Sequence, residues 1–502
     1  MFNKYLGKSK FQLMLIVLVL IISSCKKGDP FINLPLFGPN QEFYALADNN
    51  LLKFNAGNIK TAASQVAVTG LTATTEKLLS IDFRPATGEL YAVSNASIIY
   101  IIDATTGKAR AVASTAFTPA LAGDVVSLDF NPVVDRIRIV TNTGQNLRLN
   151  PETGLVVAAD GAINNTNING VAYNNNFAGA ETTTLYDIDF SAKVLYKQDP
   201  PNNGTLVKVG DLQLDLGTNV SFDISADGKN AIAIGKTATQ ANLYTINLTT
   251  GLAELKGRFP SNLNIQGIAM PVNQVAYAVS GSELLIINLT ASNVLKKPIT
   301  GLQSGETILG MDMRPTNGQL YALGSTNRLY TVNIGNGAFT EVGLLTTPLA
   351  GTSFGFDFNP VADLIRVVSN TGQNLRVNPT TAAVTVDANI TTATATLSAA
   401  AYTNNFKGAN ATALYVIDHT LDRLFSQEAN TGILTTIGDL KINVESANGF
   451  DVMSTATTNI AYGVFTVAGK SEIYKLDLAT GLATAITTDF GFAVSAFTLG
   501  LR

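Results

Sequence analysis

One cysteine stands in 502 residues, so no disulfide can form within the chain and Cys25 has to be explained singly. Tryptophan is absent, which removes the commonest large stacking platform for sugars. Histidine occurs once, at His419, so neither a zinc cluster nor a His-dependent base can occur twice. Charge is sparse as well: 14% of residues are charged, with 33 Lys and Arg against 37 Asp and Glu. A net charge of −4 offers no basic field for a polyanion, and nucleic acid is not an expected partner. Beyond residue 22 the apolar runs are short and interrupted, and none carries a helical stripe.

What fills the chain instead is β-branched and aromatic runs punctuated by Gly, Asn, Asp and Thr. Leu90-Tyr91-Ala92-Val93 precedes Ile98 to Ile102, and Arg136 to Val140 precedes Asn146 to Leu149. Ala86-Thr87-Gly88, Asn142-Thr143-Gly144 and Ala226-Asp227-Gly228 read as the turns between them. The chain also repeats itself. DFNPVVDRIRIVTNTGQNLRLNP at 129–151 returns as DFNPVADLIRVVSNTGQNLRVNP at 357–379, a displacement of 228 residues. Within each copy a short strand recurs about every 43–51 residues, near Asp82, Asp129, Ala172, Asp223 and Ile268, then near Asp312, Asp357, Ala401, Asp451 and Phe497. Four strands in a unit of about 40–50 residues is the β-propeller signature. The predicted fold class is therefore all-β, with five blades per copy.

The N-terminus has a different character. Lys4, Lys8 and Lys10 precede an apolar run from Phe11 to Ile22 that is too short to span a bilayer. It ends Ile22-Ser23-Ser24-Cys25, which resembles the lipobox of bacterial lipoproteins. That resemblance implies cleavage before Cys25, acylation of the cysteine and attachment to a membrane. Residues 1–24 are then a signal peptide and 25–41 a tether. Lys26-Lys27-Gly28-Asp29-Pro30 is similar to tethers of the Bacteroidetes group, which implies a cell-envelope address at the outer membrane, periplasmic or surface-exposed.

The duplicated Asp-Phe-Asn-Pro…Asn-Thr-Gly-Gln-Asn-Leu-Arg…Asn-Pro string resembles the DUF4394 family, secreted bacterial proteins without an assigned function. The resemblance runs from about Glu42 to the C-terminus and implies two modules, 42–271 and 272–502. The family includes single-module proteins, which supports each half closing by itself. Two closures are open. The first strand of the fold, Phe43 to Leu46, lacks an inner neighbour, and Ala493 to Leu499 lacks a second strand. Ile265 to Met270 can seal a first ring of five blades while Ala493 to Leu499 seals a second onto Val275 to Val279. Alternatively, the short Pro271 to Gln274 link makes a hairpin and all ten blades share one ring. Two rings are favoured, because ten blades leave a channel that small side chains cannot fill.

Polar residues that recur in both copies are the site candidates. Asn142, Gln145, Asn146 and Arg148, with Asn370, Gln373, Asn374 and Arg376, are the predicted binding residues, presenting donors and acceptors at one mouth of each ring. Asp82, Arg84, Asp129, Asn131, Asp135, Arg138 and Asn150 recur as Asp312, Arg314, Asp357, Asn359, Asp363, Arg366 and Asn378, and Asn175 and Asn176 as Asn404 and Asn405. The same set also suits a structural network. Asp and Asn hold turns through backbone amides, and a strand arginine such as Arg138 or Arg366 finds a carboxylate among the recurring aspartates. Tyr173 and Phe177, matched by Tyr402 and Phe406, suit blade packing or ligand contact.

Catalysis has a weaker basis. His419 faces Phe190 in the other copy, and no recurring glutamate is expected, because Glu89, Glu152 and Glu254 face Gln319, Thr380 and Thr484. Asp129 and Asp357 are the fallback catalytic pair for a hydrolase or lyase on an extracellular polymer, which needs two carboxylates about 5–10 Å apart in an open pocket. No cofactor is expected and no metal site is assigned, although calcium held by carbonyls and aspartates fits the composition. The expected function is a lipid-anchored envelope propeller that binds a polymer or protein ligand, or serves as a scaffold.

Overall fold

Short alternating runs separated by turns fold as strands throughout. The computed structural model describes residues 36–164, 167–237, 240–260, 263–289, 294–391, 396–487 and 489–501. Among these, 40 strands are accompanied by a single 3-10 turn at Pro201–Asn203. The expected signal peptide, Cys25 and the expected tether up to residue 35 lie outside the described residues.

The strands form ten four-stranded antiparallel sheets. In ring one the innermost strands are Leu78–Phe83, Val126–Asn131, Ile168–Tyr173, Thr218–Ile224 and Ile265–Ala269. Each packs beside the next, and the fifth returns to the first. Ile265–Ala269 joins the sheet that begins with Glu42–Ala47, pairing Ala269 with Tyr44 and Ile268 with Ala45. Ring two repeats this with Ile308–Arg314, Phe354–Asn359, Leu397–Tyr402, Ser446–Ser454 and Ala496–Leu499. Ala496–Leu499 pairs with Val275–Ser280, Leu499 opposite Ala276 and Ala496 opposite Val279. The architecture is therefore two closed five-bladed propellers rather than one ring of ten. Pro271 to Gln274 links two different sheets and is no hairpin turn.

Apolar faces of neighbouring blades meet between the sheets. In ring one Tyr91, Ile99, Leu128, Phe130 and Ile137 are buried together, and in ring two Tyr321, Leu329, Phe356, Phe358 and Ile365 repeat the arrangement. The edge-on contact Tyr91–Phe130, 5.1 Å between centroids, recurs as Tyr321–Phe358 at 5.2 Å. Each fully buried side chain of this size contributes roughly 1.5–3 kcal/mol over its exposed state. Towards the axis the strands come close enough to need glycine: a Cβ on Gly355 would stand 2.6 Å from the Ala400 amide nitrogen.

Residues 37–502 form one compact unit in which the rings touch. Tyr277 of ring two donates to the carbonyl of Ala86 in ring one at 2.8 Å, and Ala86 is buried among Val275, Met313 and Leu320. Arg84 Nη1 donates to the Gly318 carbonyl at 3.3 Å and Arg110 Nη1 to that of Thr316 at 3.1 Å. Ending the chain at Phe492 strips the partner from Val275–Ser280 and exposes a bare strand edge. The expected result is a lower melting temperature and aggregation, read by thermal unfolding and size-exclusion chromatography; an unchanged profile would contradict ring closure by the last strand.

Candidate functional site

The repeated motif builds the same network twice. Arg138 lies on the strand Arg136–Thr141 and is 1% exposed. Its Nη1 donates to Asn146 Oδ1 at 2.7 Å and Asp160 Oδ2 at 2.6 Å, Nη2 to Asn202 Oδ1 at 2.8 Å, and Nε to the Tyr173 hydroxyl at 3.3 Å. Arg366 repeats every contact, with Asn374 at 2.8 Å, Asp387 at 2.7 Å, Asn430 at 2.9 Å and Tyr402 at 3.3 Å. Arg148 closes on Asp160 through two nitrogens, and Arg376 does the same on Asp387. A planar guanidinium matched to so many oxygens is held rigidly in a dry setting.

The carboxylate for these arginines is thus Asp160 or Asp387, and not one of the aspartates in the Asp-Phe-Asn-Pro repeat. The physical reason is direction. Asp129 and Asp357 turn to the ring axis, whereas Asp160 and Asp387 follow the outermost strands and fold back over the arginine. Sequence comparison at fixed displacement hides this pair, because the strand carrying Val156 has a bulge in ring one that Val384–Val386 lacks. A one-residue gap in the repeat alignment would have found it.

The predicted binding residues sit around this network with their polar atoms engaged. Asn146 and Asn374 are buried, and each donates Nδ2 to two carbonyls, Gly161 and Pro201 in one copy, Ala388 and Ala429 in the other. Gln145 clasps the preceding loop through the Ala122 amide and the Ala120 carbonyl; Gln373 does so through Ala350 and Pro348. Asn142 accepts from the Val125 amide and donates to Asp124, and Asn370 accepts from Thr352 and donates to its hydroxyl. Gly144 takes φ +82 here, and a Cβ would meet the Ile163 carbonyl at 2.4 Å.

Other recurring pairs are structural in geometry. Asp135, in the left-handed region at φ 50, receives Arg84 at 2.9 and 2.5 Å, and Asp363 receives Arg314 at 2.8 and 2.5 Å. Asn131 and Asn359 cap their own turns by accepting two amides each. Asn150 and Asn378 do likewise. Tyr173 is buried against Arg138, whereas Phe177 lines a cleft of about 190 Å³ with Asn175, Gln274 and Leu295, between the two rings. A second cleft of about 300 Å³ is lined by Tyr44, Lys53, Asp103, Gln274 and Met453. His419 sits 3.1 Å from Ser398 Oγ.

A recurring glutamate does exist. Glu76 and Glu306 occupy matching positions just before the inner strands Leu78–Phe83 and Ile308–Arg314, 3% and 9% exposed. Glu76 accepts from Thr72 and Tyr100, and Glu306 from Thr326 and Tyr330. Burial alone would push both carboxyls up, but the hydroxyl and amide donors hold them below the usual glutamate value. The surrounding Thr-Glu-Lys and Gly-Glu-Thr differ, so only the distance to the following Asp marked the pair.

Three aspartates of each ring converge on its axis. Asp82, Asp129 and Asp223 in ring one, and Asp312, Asp357 and Asp451 in ring two, each bring an oxygen within 4.8 Å of the others, and all are buried. Each accepts an amide from the next inner strand: Asp82 from Phe130 at 2.9 Å, Asp129 from Tyr173 at 3.0 Å, Asp223 from Met270 at 2.5 Å. Ring two matches with Phe358, Tyr402 and Leu499. Burial and the neighbouring carboxylates push Asp82, Asp129, Asp312 and Asp357 far above the ordinary value. Asp129 and Asp357 therefore stand on a closed axis and not in an open pocket. These are the oxygens among the described residues that suit a hard metal ion.

The fold and these axial and arginine networks define a tandem five-bladed β-propeller. Residues 50–269 and 283–497 each match the family described as a domain of unknown function, DUF4394, and the chain belongs to it. No curated protein matches the chain significantly. Among solved structures it is similar to PorZ, described as an essential bacterial surface component of the type-IX secretion system of Porphyromonas gingivalis. That likeness has 12% identity, covers 90% of this chain and 58% of PorZ, and has a TM-score of 0.26. A protein of unknown function from Bacteroides caccae is similar at 13% identity, over 46% of this chain and all of that one, with a TM-score of 0.28. At these scores the likenesses bear on neither site nor activity. Among the described residues no helix is long and apolar enough to cross a membrane.

Asp187 breaks the symmetry. It is fully buried, neither carboxylate oxygen has a partner, and its counterpart in ring two is Val416. Burial pushes its carboxyl up to about 8, with the Arg138 charge acting the other way. Folding favours the acid form, so stability is full below the unfolded value near 3.8 and is lost as pH rises through about 8. Asp187→Val should raise the melting temperature by an amount that grows from pH 5 to pH 8.5, where the gain reaches on the order of 5 kcal/mol; a pH-independent difference would refute this. Asp160→Asn and Asp387→Asn leave a buried arginine short of its counter-charge, and each should cost roughly 3–5 kcal/mol in denaturant titration.

Proposed function

We propose that this protein is a lipid-anchored binding or assembly module of the cell envelope, held at the outer membrane through Cys25, with no chemistry of its own. One observation carries the reading: the polar residues common to both copies bond inward, to loops, strands and each other, in both rings. What the duplication preserves is a rigid body. The fallback catalytic pair, Asp129 and Asp357, supports the same reading, since each is buried and accepts a strand amide. Surface for a polymer or protein ligand exists in the clefts that involve both rings, where Tyr44, Lys53, Asp103 and Phe177 are accessible. The anchor rests on the lipobox-like Ile22-Ser23-Ser24-Cys25.

Two measurements test the proposal. Metabolic labelling with a clickable fatty acid should mark the wild type and not Cys25→Ser, which should leave the membrane fraction. The soluble body, presented to glycan and peptide arrays, should bind one class saturably without altering it. Release of product from any extracellular polymer, abolished by Asp129→Asn with Asp357→Asn, would replace this reading with the enzymatic one.

A further inference from the structure

The axial aspartates do more than latch strands. Asp82, Asp223, Asp312 and Asp451 each accept backbone amides at both oxygens, and Asp129 and Asp357 at one, yet the three of each ring still bring acceptor oxygens within 4.8 Å of one another inside a dry ring. The nearby arginines are committed elsewhere: Arg84 to Asp135, Arg138 to Asp160, Arg314 to Asp363 and Arg366 to Asp387. Buried carboxylates held this close need a positive charge or a proton between them.

Further oxygens at the same place point to which. Asn405 is 4% exposed and reaches the ring-two cluster, its Nδ2 lying 3.5 Å from Asp451 Oδ1, yet its Oδ1 has no partner. Turning that amide about its last bond presents the oxygen to the carboxylates. Asn176, at the corresponding position of ring one, is 1% exposed and its Oδ1 is likewise unpartnered. Asp357 Oδ2, on the axis itself, also has no partner. In ring two the Thr498 hydroxyl lies 2.9 Å from Asp312 Oδ1 and 2.8 Å from Asp451 Oδ2, although it has one hydrogen to give. Ring one carries Ala269 there. An excess of hard, acceptor-only oxygens is the complement of a hard cation. A dry axis lined by several such oxygens suits calcium, which takes six to eight oxygen ligands directly, better than magnesium, which dehydrates reluctantly and usually keeps several waters.

We propose that each ring binds one calcium ion on its axis, held by Asp82, Asp129, Asp223 and Asn176 in ring one, and by Asp312, Asp357, Asp451, Asn405 and Thr498 in ring two. The ion ties three inner strands of a ring to one point, Leu78–Phe83, Val126–Asn131 and Thr218–Ile224 in ring one and their counterparts in ring two, from positions that the strand latches already fix. It is a structural ion, independent of any ligand taken up at the surface. Its site was hidden in the sequence because the three aspartates of a ring are spread over some 140 residues and meet only when the ring closes.

The test uses the full chain in detergent. Elemental analysis of protein purified without chelator should find two calcium ions per chain. After unfolding in EDTA and refolding, the melting temperature should fall by several degrees, recover with calcium chloride, and respond little to the same concentration of magnesium chloride. Asp82→Asn and Asp312→Asn should each retain one ion. The wild-type arm stands even if those variants fold poorly. Absence of bound calcium, with equal melting in calcium, magnesium and EDTA, would overturn the proposal and leave shared protons as the neutralising charge. An equal response to magnesium would overturn the choice of ion.

Discussion

A carboxylate on one inner strand accepting the amide of the next is the contact on which this structure turns. Backbone groups near a propeller axis have no sheet neighbour on that side and no room for bulk solvent. Asp82, Asp129 and Asp223 meet the amides of Phe130, Tyr173 and Met270, and so set the distance and tilt from blade to blade. Ser80 and Ser127 add a second tier by accepting from Leu128 and Val171. In ring two those serines are Gly310 and Gly355, and close packing of strand on strand takes over. The aspartates, unlike the serines, are the same in both rings, which ranks the two devices.

Outside the axis, the Arg138 and Arg366 networks stiffen the third and fourth blades. Eight equivalent hydrogen bonds agree within about 0.1 Å across copies that differ at many other positions, which argues for a shape that tolerates little repacking. Departures from symmetry also occur where the rings meet. Glu152 adds a second carboxylate to Arg84, where ring two has Thr380, and Arg84 in turn reaches Gly318 across the interface. Gly318 at φ +67 leaves Nη1 space that any Cβ would fill, 2.7 Å away. Each copy both gives and accepts at the joint: Arg84 and Arg110 donate to ring two, and Tyr277 donates back to ring one.

The periodic Asp-Phe starts, the Gly turns and the 228-residue displacement carried the fold class, the blade count and the sealing strands. They did so because strand alternation and turn chemistry are local. The partners of the strand arginines were not legible, since a bulge at Val157 moves Asp160 out of step with Asp387. Glu76 and Glu306 share no flanking motif. Side-chain engagement was half legible: Asn142, Gln145, Asn146 and Arg148 suit ligand-facing or structural roles in a string of letters, and the fold shows them bonded to loops and to Asp160, with Asn146 alone of the four buried. The axial grouping depends on ring closure, a property that no window of sequence contains.

Because Ile265–Ala269 seals ring one, every strand of the N-terminal propeller precedes those of its neighbour in the order of synthesis. Ring two has no such early seal and must wait with Val275–Ser280 uncovered until Ala496–Leu499 arrives. A finished body beside the waiting strands gives them a template wall, through Ala86 and the Arg84 loop, at the moment when pairing with a foreign chain would be easiest. Order of birth, and not only order of blades, is thus written into where each circle is fastened.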